Sequence, residues 1–232
     1  MTDAFASAFE LLLRFDPDLI AIIWLSLRVS GIAVLIACLI GFPLGAVLAV
    51  FRFPGRQTLV VTANALMGLP PVVVGLTLYL LLSASGPLGV LQLLYTPTAM
   101  IIAQIILVLP IVTALTRQVI LDLNEEYDEL LRSMRLSRLM RIETLLWDAR
   151  YALLTAALAG FGRAIAEVGA VMIVGGNINH VTRTMTTAIA METSRGELAL
   201  ALALGVILLA LTFAVNAVVA SIRGTGGQIA KA

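Results

Sequence analysis

Five apolar stretches, each long enough to cross a lipid bilayer, dominate this sequence. They cover residues 19–51, 60–82, 98–121, 151–174 and 198–222. Crossing about 30 Å of hydrocarbon takes about 20 helical residues, and hydrocarbon offers no water to satisfy backbone amides. With 60% hydrophobic and 12% charged residues, the chain is too apolar for a soluble domain. The predicted fold class is therefore all-α and integral to the membrane, a bundle of about five transmembrane helices.

The first 18 residues differ from these stretches. Phe5, Phe9 and Leu12 recur at helical spacing among acidic residues, without the basic start of a secretory signal. We expect an amphipathic helix on the membrane surface, ending at Asp16-Pro17. The predicted organisation is a surface helix over 1–18, a transmembrane domain over 19–223 and a cytoplasmic tail over 224–232.

The basic residues are distributed asymmetrically between the two sides of a five-span chain. If the spans alternate in direction, three basic residues (Arg14, Arg183 and Arg195) lie on the side of the N-terminus. Basic loops stay in the cytoplasm, so the N-terminus is predicted outside and the C-terminus inside. The ten basic residues on the cytoplasmic side are Arg52, Arg56, Arg117, Arg132, Arg135, Arg138, Arg141, Arg150, Arg223 and Lys231.

The residue types of the chain argue against several functions. A phosphate-binding Walker loop needs a lysine directly after its glycines, and the one lysine is Lys231. We therefore expect no ATPase activity and no cofactor in this chain, with any ATP and Mg²⁺ bound by a partner subunit. Cys38 and His180 are single and far apart, so no metal site is expected. A net charge of +1 gives no reason to expect nucleic acid as a partner.

Residues 124–147 are too polar to span and too apolar for a disordered linker. They predict two short helices with a break near Arg135, and Ser137 is placed to cap the second helix. Such an element suits docking of a soluble partner, or a surface helix whose arginines meet anionic lipid headgroups. The two predicted apolar stripes are Tyr127, Leu130, Leu131 and Met134, then Leu139, Ile142, Leu145 and Leu146.

The run YDELLRSMRLSRL, followed by LLWDAR, resembles the coupling motif of type I ABC importer permeases. The sequence departs from the motif at Arg135, where the family has glycine, and at Trp147, where it has proline. Glycine permits a left-handed turn there, which costs another residue about 1–2 kcal/mol. The positions that match the motif's E-A-A and its penultimate leucine are Glu129, Leu130, Leu131 and Leu146.

The resemblance implies that residues 124–147, called the coupling segment from here on, sit in a cleft of an ATPase subunit and carry its closure into the membrane. It also implies two copies of the chain, two ABC ATPase subunits and an extracytoplasmic solute-binding protein, in the lipid of a bacterial or archaeal inner membrane. The residues expected to couple the chain to the ATPase are Glu126, Asp128, Glu129, Leu130, Leu131, Arg135, Ser137, Arg138 and Leu146.

Charged and polar residues mark the fourth stretch and the chain beyond it. Arg163 and Glu167 lie near mid-membrane, where charge is costly, and their spacing of four predicts a pair on one helix face. That pair either is structural or lines a pathway. A threonine- and asparagine-rich region follows with one cation, Arg183. Such a region suits an oxyanion, or is a loop whose threonines cap a helix.

The runs GFGRAIAEVGAVMIVGGNI and TRTMTTAI resemble tungstate permease subunits, and those for molybdate and sulfate are similar but looser. GLPPVVVGL and LYTPTAMIIAQ fit the same family. The implied function is import of an oxyanion, with an ion-coupled carrier, a channel or a structural subunit as alternatives. Prolines kink helices and free backbone carbonyls, so two of them join the pathway candidates. These candidates are Pro70, Pro71, Gly75, Arg163, Glu167, Gly175, Gly176, Asn177, Thr184 and Thr186.

Overall fold

A computed structural model describes the backbone of residues 17–229 and the side chains of residues 17–221. Over that range the regular structure is helical: ten α-helices and a 3₁₀ turn at Gly89–Leu91. The helices are α1 Pro17–Val50, α2 Arg56–Leu66, α3 Pro71–Leu82, α4 Pro97–Glu126, α5 Asp128–Ser133, α6 Arg138–Asp148, α7 Arg150–Ile165, α8 Gly169–Gly175, α9 Met185–Arg195 and α10 Leu198–Ile229.

Three helices are long and apolar enough to cross a membrane alone. These are α1, α4 and the Leu198–Ser221 part of α10. Two broken pairs, α2 with α3 and α7 with α8, raise the number of candidate spans to five if each pair counts as one. The all-helical membrane fold is confirmed. The second and fourth predicted stretches are wrong as continuous helices.

The predicted surface helix over 1–18 lies largely outside the described residues. Pro17 is the first residue of α1, and Asp18 follows within the first turn. Proline suits this place because its fixed φ fits the first helical turn, where its missing N–H would have had no partner. At 34 residues, α1 is about 51 Å long, which exceeds the thickness of the hydrocarbon core.

Two successive prolines account for the break between α2 and α3. Pro70 is extended (φ −66°, ψ 122°), because a residue before proline avoids helical geometry, and Pro71 occupies the first turn of α3. Both α3 amides at Val73 and Val74 donate to the Pro70 carbonyl. The predicted single span over 60–82 is therefore two helices, the second of which begins at Pro71.

The break between α7 and α8 falls at residues 166–168. The Glu167 amide donates to the Ala164 carbonyl at 3.2 Å, and its Oε1 accepts from the Ala170 amide at 3.0 Å. The side chain thus caps α8 instead of continuing α7. Glu167 lies beyond the end of α7, so it does not share a continuous helix with Arg163. The pairing of the two side chains stays a prediction.

The described chain forms two compact units. Unit one comprises residues 17–33, Pro70–Gln104 and Ala164–Val218, and unit two comprises Val34–Leu69, Ile105–Arg163 and residues 219–229. In unit two, Ile120 and Leu145 are fully buried in a core shared by α1, α4, α6 and α7. There α1 approaches α4 closely at Gly45, where a Cβ would lie 2.7 Å from the Thr113 carbonyl oxygen.

In unit one, α3 packs against α8 through Gly75. A Cβ on Gly75 would lie 2.8 Å from the Ala170 Cα, which is backbone and has little freedom to retreat. Small residues at such crossings let membrane helices approach and gain dispersion contacts. The close contact between α3 and α8 therefore depends on the missing side chain at Gly75.

We expect Gly75→Ala to separate α3 from α8 and to lower the free energy of unfolding by about 1–3 kcal/mol, as overpacking does. The measurement is unfolding by SDS titration in detergent micelles. Gly162→Ala in α7 is the control, since a Cβ there meets nothing within 4 Å, and it should leave stability unchanged or raise it. Equal losses in both variants would contradict the proposed crossing.

Candidate functional site

The coupling segment folds as α5, a tight turn and α6. Arg135 adopts φ 50°, the left-handed conformation that the family's glycine would favour. The Arg135 amide donates to the Arg132 carbonyl at 3.0 Å, and the Leu136 amide to the Leu131 carbonyl at 3.4 Å. These two hydrogen bonds satisfy the last carbonyls of α5. The Leu131 and Leu136 side chains both belong to the core of unit two. The turn is thus formed without glycine.

Ser137 is the residue that caps the start of α6, as predicted. It is extended (φ −64°, ψ 155°), and its Oγ accepts a hydrogen bond from the Met140 amide at 3.3 Å. A side-chain acceptor at this position satisfies one of the amides that lack a partner inside the helix. The capping prediction is confirmed.

Asp128 fastens α5 to α6. Its Oδ1 accepts from the Arg141 guanidinium at 2.7 Å and its Oδ2 from Arg132 at 2.9 Å. Arg141 also donates through Nε to the Asn124 side chain at 2.6 Å. The bond from Arg141 lowers the pKa of Asp128 below its ordinary value. A lowered pKa means that the link is present at neutral pH and is lost only as acid protonates Asp128.

The two helices of the coupling segment carry apolar side chains on two faces. Leu131, Ile142 and Leu145 are buried in the core of unit two. The opposite surface, called the exposed apolar face here, includes Leu139 at 73% exposure and Trp147 at 70%. Exposed apolar side chains on a segment outside the candidate spans suit a surface that binds another molecule. The exposed apolar face consists of Leu130, Met134, Leu139, Met140 and Trp147.

This arrangement divides the predicted coupling residues. Leu131 and the half-buried Leu146 belong to the core, while Leu130 is exposed. The prediction that Leu139 shares a stripe with the buried Ile142 and Leu145 is wrong, and Met140 and Trp147 were missed as surface residues. Arg138 lies over the Phe51 ring, 5.6 Å from its centroid. Glu126, Glu129, Arg135, Ser137 and Arg138 are exposed, and Asp128 is half-buried.

In unit one, side chains from other helices donate hydrogen bonds to the backbone carbonyls at the break before α8. The Gln104 amide donates to the Ala164 carbonyl at 3.0 Å, and Thr186 Oγ1 donates to the Glu167 carbonyl at 2.8 Å. Glu167 itself is buried, with 3% of its surface exposed. These bonds bring α4, the α7–α8 break and α9 together. They replace the helical bonds that the break removes.

The threonine-rich region is a helix start rather than an open loop. Thr184 caps α9, and a reciprocal capping box joins it to Thr187. Asn177 follows Gly176 in the left-handed conformation at the end of α8, with φ 50° and 71° respectively. The one cation of this region, Arg183, lies 3.5 Å from the buried Glu192. In this structure these hydroxyls are buried and hydrogen-bonded within unit one.

The structure places the remaining pathway candidates as follows. Pro70 is exposed and Pro71 half-buried at the start of α3, while Gly75 lies at the crossing with α8. Gly175 is buried, and a Cβ there would lie 3.0 Å from the Met100 Sδ. Arg163 is half-buried near the end of α7. Their assignment to a translocation pathway stays a prediction.

Two features together define a class of protein. The described residues form three to five candidate membrane spans, and between α4 and α7 they form a two-helix element with exposed apolar side chains. A membrane-embedded transport subunit that engages a further protein has this construction.

The comparisons with known proteins identify the family. The family described as binding-protein-dependent transport system inner membrane component matches residues 41–223, and the chain belongs to that family. The tungstate uptake system permease protein TupB of Peptoclostridium acidaminophilum is 42% identical over 96% of this chain and 98% of its own length. TupB of Campylobacter jejuni is 41% identical over 96% of this chain and 93% of its own length.

Further relatives are also named for anion transport. A probable anion ABC transporter permease protein of Haloferax volcanii is 40% identical over 88% of this chain and 90% of its own length. Sulfate transport system permease proteins match at 32% identity or lower. The chain is therefore an inner-membrane, multi-pass permease of an ABC uptake family.

We expect Arg135→Gly to raise the free energy of unfolding by about 1 kcal/mol, because glycine adopts the left-handed conformation without strain. The measurement is SDS titration of the purified chain, with Arg138→Gly as the control. Arg138 lies in the first turn of α6, so glycine there should cost up to about 1 kcal/mol. A loss of stability in Arg135→Gly would show that the Arg135 side chain, and not its backbone, holds the turn.

Proposed function

We propose that this chain is the transmembrane permease subunit of an ATP-driven ABC importer that carries tungstate across the inner membrane. The observation that carries the proposal is the 42% identity to a tungstate uptake permease over 96% of this chain and 98% of that relative. The coupling segment supports it, because it supplies the docking element that an importer powered by another subunit needs.

The power comes from a separate subunit. The one lysine is Lys231, so no Walker loop can be built from this chain, and ATP and Mg²⁺ bind to partner ATPase subunits. Two copies of the chain assemble with two ATPases, and an extracytoplasmic binding protein delivers the anion. The bias of basic residues supports an outside N-terminus and a cytoplasmic coupling segment.

The construction of the coupling segment suits the transmission of force. The exposed apolar face docks on the ATPase, with Leu139 and Trp147 as its most exposed members. Asp128 of α5 pairs with Arg132 within the same helix and with Arg141 of α6, and the bond to Arg141 joins the two helices, so the segment moves as one body. On the opposite side Ile142 and Leu145 are packed against Ile120 of α4. Closure of the ATPases therefore reaches the spans through this core, and the spans change from inward-open to outward-open.

The pathway is proposed to pass the broken helices in unit one. Asn177, Thr184 and Thr186 carry hydrogen-bonding groups there, which suit an oxyanion that loses its water. In this structure those groups bond to one another and to the backbone, so the outward-open state must exchange some of these bonds for the anion. The other proposed members are Pro70, Pro71, Gly75, Arg163, Glu167, Gly175 and Gly176.

A permease for molybdate or sulfate is the second candidate. Both are tetrahedral dianions like tungstate, and the same hydrogen-bonding groups would suit them. The lower identity of the sulfate permeases favours tungstate over sulfate. The binding protein, and not the permease, is proposed to make most of the selection.

The test is ATP-dependent accumulation of tungstate by proteoliposomes that contain the chain, its ATPase and its binding protein. We expect Leu139→Arg to lower the initial rate at least about tenfold and to remove the ATPase from pull-downs, because a charge then faces an apolar docking cleft. The fold should persist, since this side chain is mostly exposed. Inductively coupled plasma mass spectrometry measures the accumulated tungsten.

Val90→Arg is the control, because Val90 is 89% exposed but lies in unit one, outside the coupling segment. Normal uptake and ATPase retention in Leu139→Arg would refute the docking assignment. Uptake that proceeds without ATP would refute the importer. Suppression of tungstate uptake by equimolar sulfate or molybdate would shift the proposal to that anion.

A further inference from the structure

A cleft of about 460 Å³ in unit two is lined by four arginines. Arg52 comes from the chain between α1 and α2, Arg56 from the start of α2, Arg117 from α4 and Arg132 from α5. We propose that this cleft is a binding site for a tetrahedral oxyanion, supplied either by an anionic phospholipid headgroup or by free anion in the cytoplasm. The site is distinct from the exposed apolar face, none of whose members lines it.

The charges that line the cleft do not cancel. Four guanidinium groups face two carboxylates, those of Glu125 and Asp128. Asp128 is already shared between Arg132 and Arg141, which lies outside the lining. The remaining three arginines are therefore balanced by Glu125 alone. An excess of positive charge in a concave site attracts and concentrates anions.

Two of the four arginines, Arg56 and Arg117, are half-buried, whereas Arg52 and Arg132 are exposed. Arg56 Nε donates to the Leu48 carbonyl at 2.6 Å, which ties the first residue of α2 to α1. Arg117 is half-buried in α4, and its Nε is buried without a hydrogen-bond partner among the described residues. A buried donor without a partner carries a free-energy cost that a bound oxyanion would remove.

The chemistry of the lining fits a phosphate-type group. Guanidinium groups bind tetrahedral oxyanions through paired N–H donors, with more geometric specificity than an ammonium has. The Asn124 side chain adds polar atoms to the lining. Arg56 is the first residue of α2, and the positive end of a helix favours an anion. The volume is ample for a phosphate group with part of its substituent.

The test measures binding, so its failure would leave the import proposal standing. The full-length chain is reconstituted in phosphatidylcholine nanodiscs and titrated with inorganic phosphate by calorimetry. In a second arm the retention of phosphatidylglycerol from mixed nanodiscs is measured by native mass spectrometry. We expect Arg117→Gln to weaken binding in at least one arm by about tenfold or more, the loss expected for a charge-assisted hydrogen bond.

Arg195→Gln removes the same charge from unit one and is the matched control, which should leave both arms unchanged. Arg117→Lys keeps the charge but loses the paired donors, so its binding should fall between those of Arg117→Gln and the unchanged chain. If Arg117→Gln unfolds, Arg52→Gln replaces it, because Arg52 is exposed and its loss should spare the fold.

The two arms separate the sources of the anion. If Arg117→Gln weakens only the binding of phosphatidylglycerol, the cleft is a lipid site. If it weakens only the binding of phosphate, the cleft is a site for free anion. Equal binding by Arg117→Gln, or by its replacement Arg52→Gln, and by Arg195→Gln would overturn the proposal. Loss of the ATPase from pull-downs with unchanged anion binding would overturn it too, because the arginines would then contact the ATPase.

Discussion

Backbone groups inside hydrocarbon must find partners within the protein, and the rest of this structure depends on that constraint. Continuous helices satisfy it alone, whereas the break before α8 cannot. There the Gln104 amide, the Glu167 carboxylate and the Thr186 hydroxyl supply the missing bonds. Non-helical backbone at membrane depth is tolerated only where protein or a cavity surrounds it. The buried polar side chains of unit one are therefore first of all a requirement of this break.

That requirement also connects the fold to transport. A segment held by side-chain bonds can exchange those bonds for others at modest cost, whereas a continuous helix cannot. The Glu167 carbonyl and carboxylate join three elements of unit one through bonds of about equal length. In unit two, Ile120 and Leu145 are packed in a core and Asp128 links α5 to α6. In the proposed mechanism, unit one therefore rearranges and unit two transmits the motion of the ATPase.

The sequence predicts features governed by local chemistry. The long apolar stretches predict α1, α4 and α10 because span length and hydropathy decide them, and Ser137 predicts its cap because the bond closes within three residues. It does not predict that Glu167 leaves α7, since the capping bond to Ala170, three residues away, competes with an intrahelical pair to Arg163, four residues away. Nor does it predict the exposure of Leu139, because α6 is apolar on two faces and only the contacts with α1 and α4 select the buried one. The arginine cleft likewise cannot be predicted from the sequence, because its arginines are up to 80 residues apart.

The central claim is that the coupling segment lies in the cytoplasm, where an ATPase can push it. Its most direct test is labelling of Ser137→Cys in a Cys38→Ser background with a membrane-impermeant maleimide, since Ser137 is exposed. Ser85→Cys, in the exposed loop after α3, serves as the marker of the other side. The account predicts labelling of Ser85→Cys from outside intact cells and of Ser137→Cys only after permeabilisation. Labelling of Ser137→Cys from outside would contradict it.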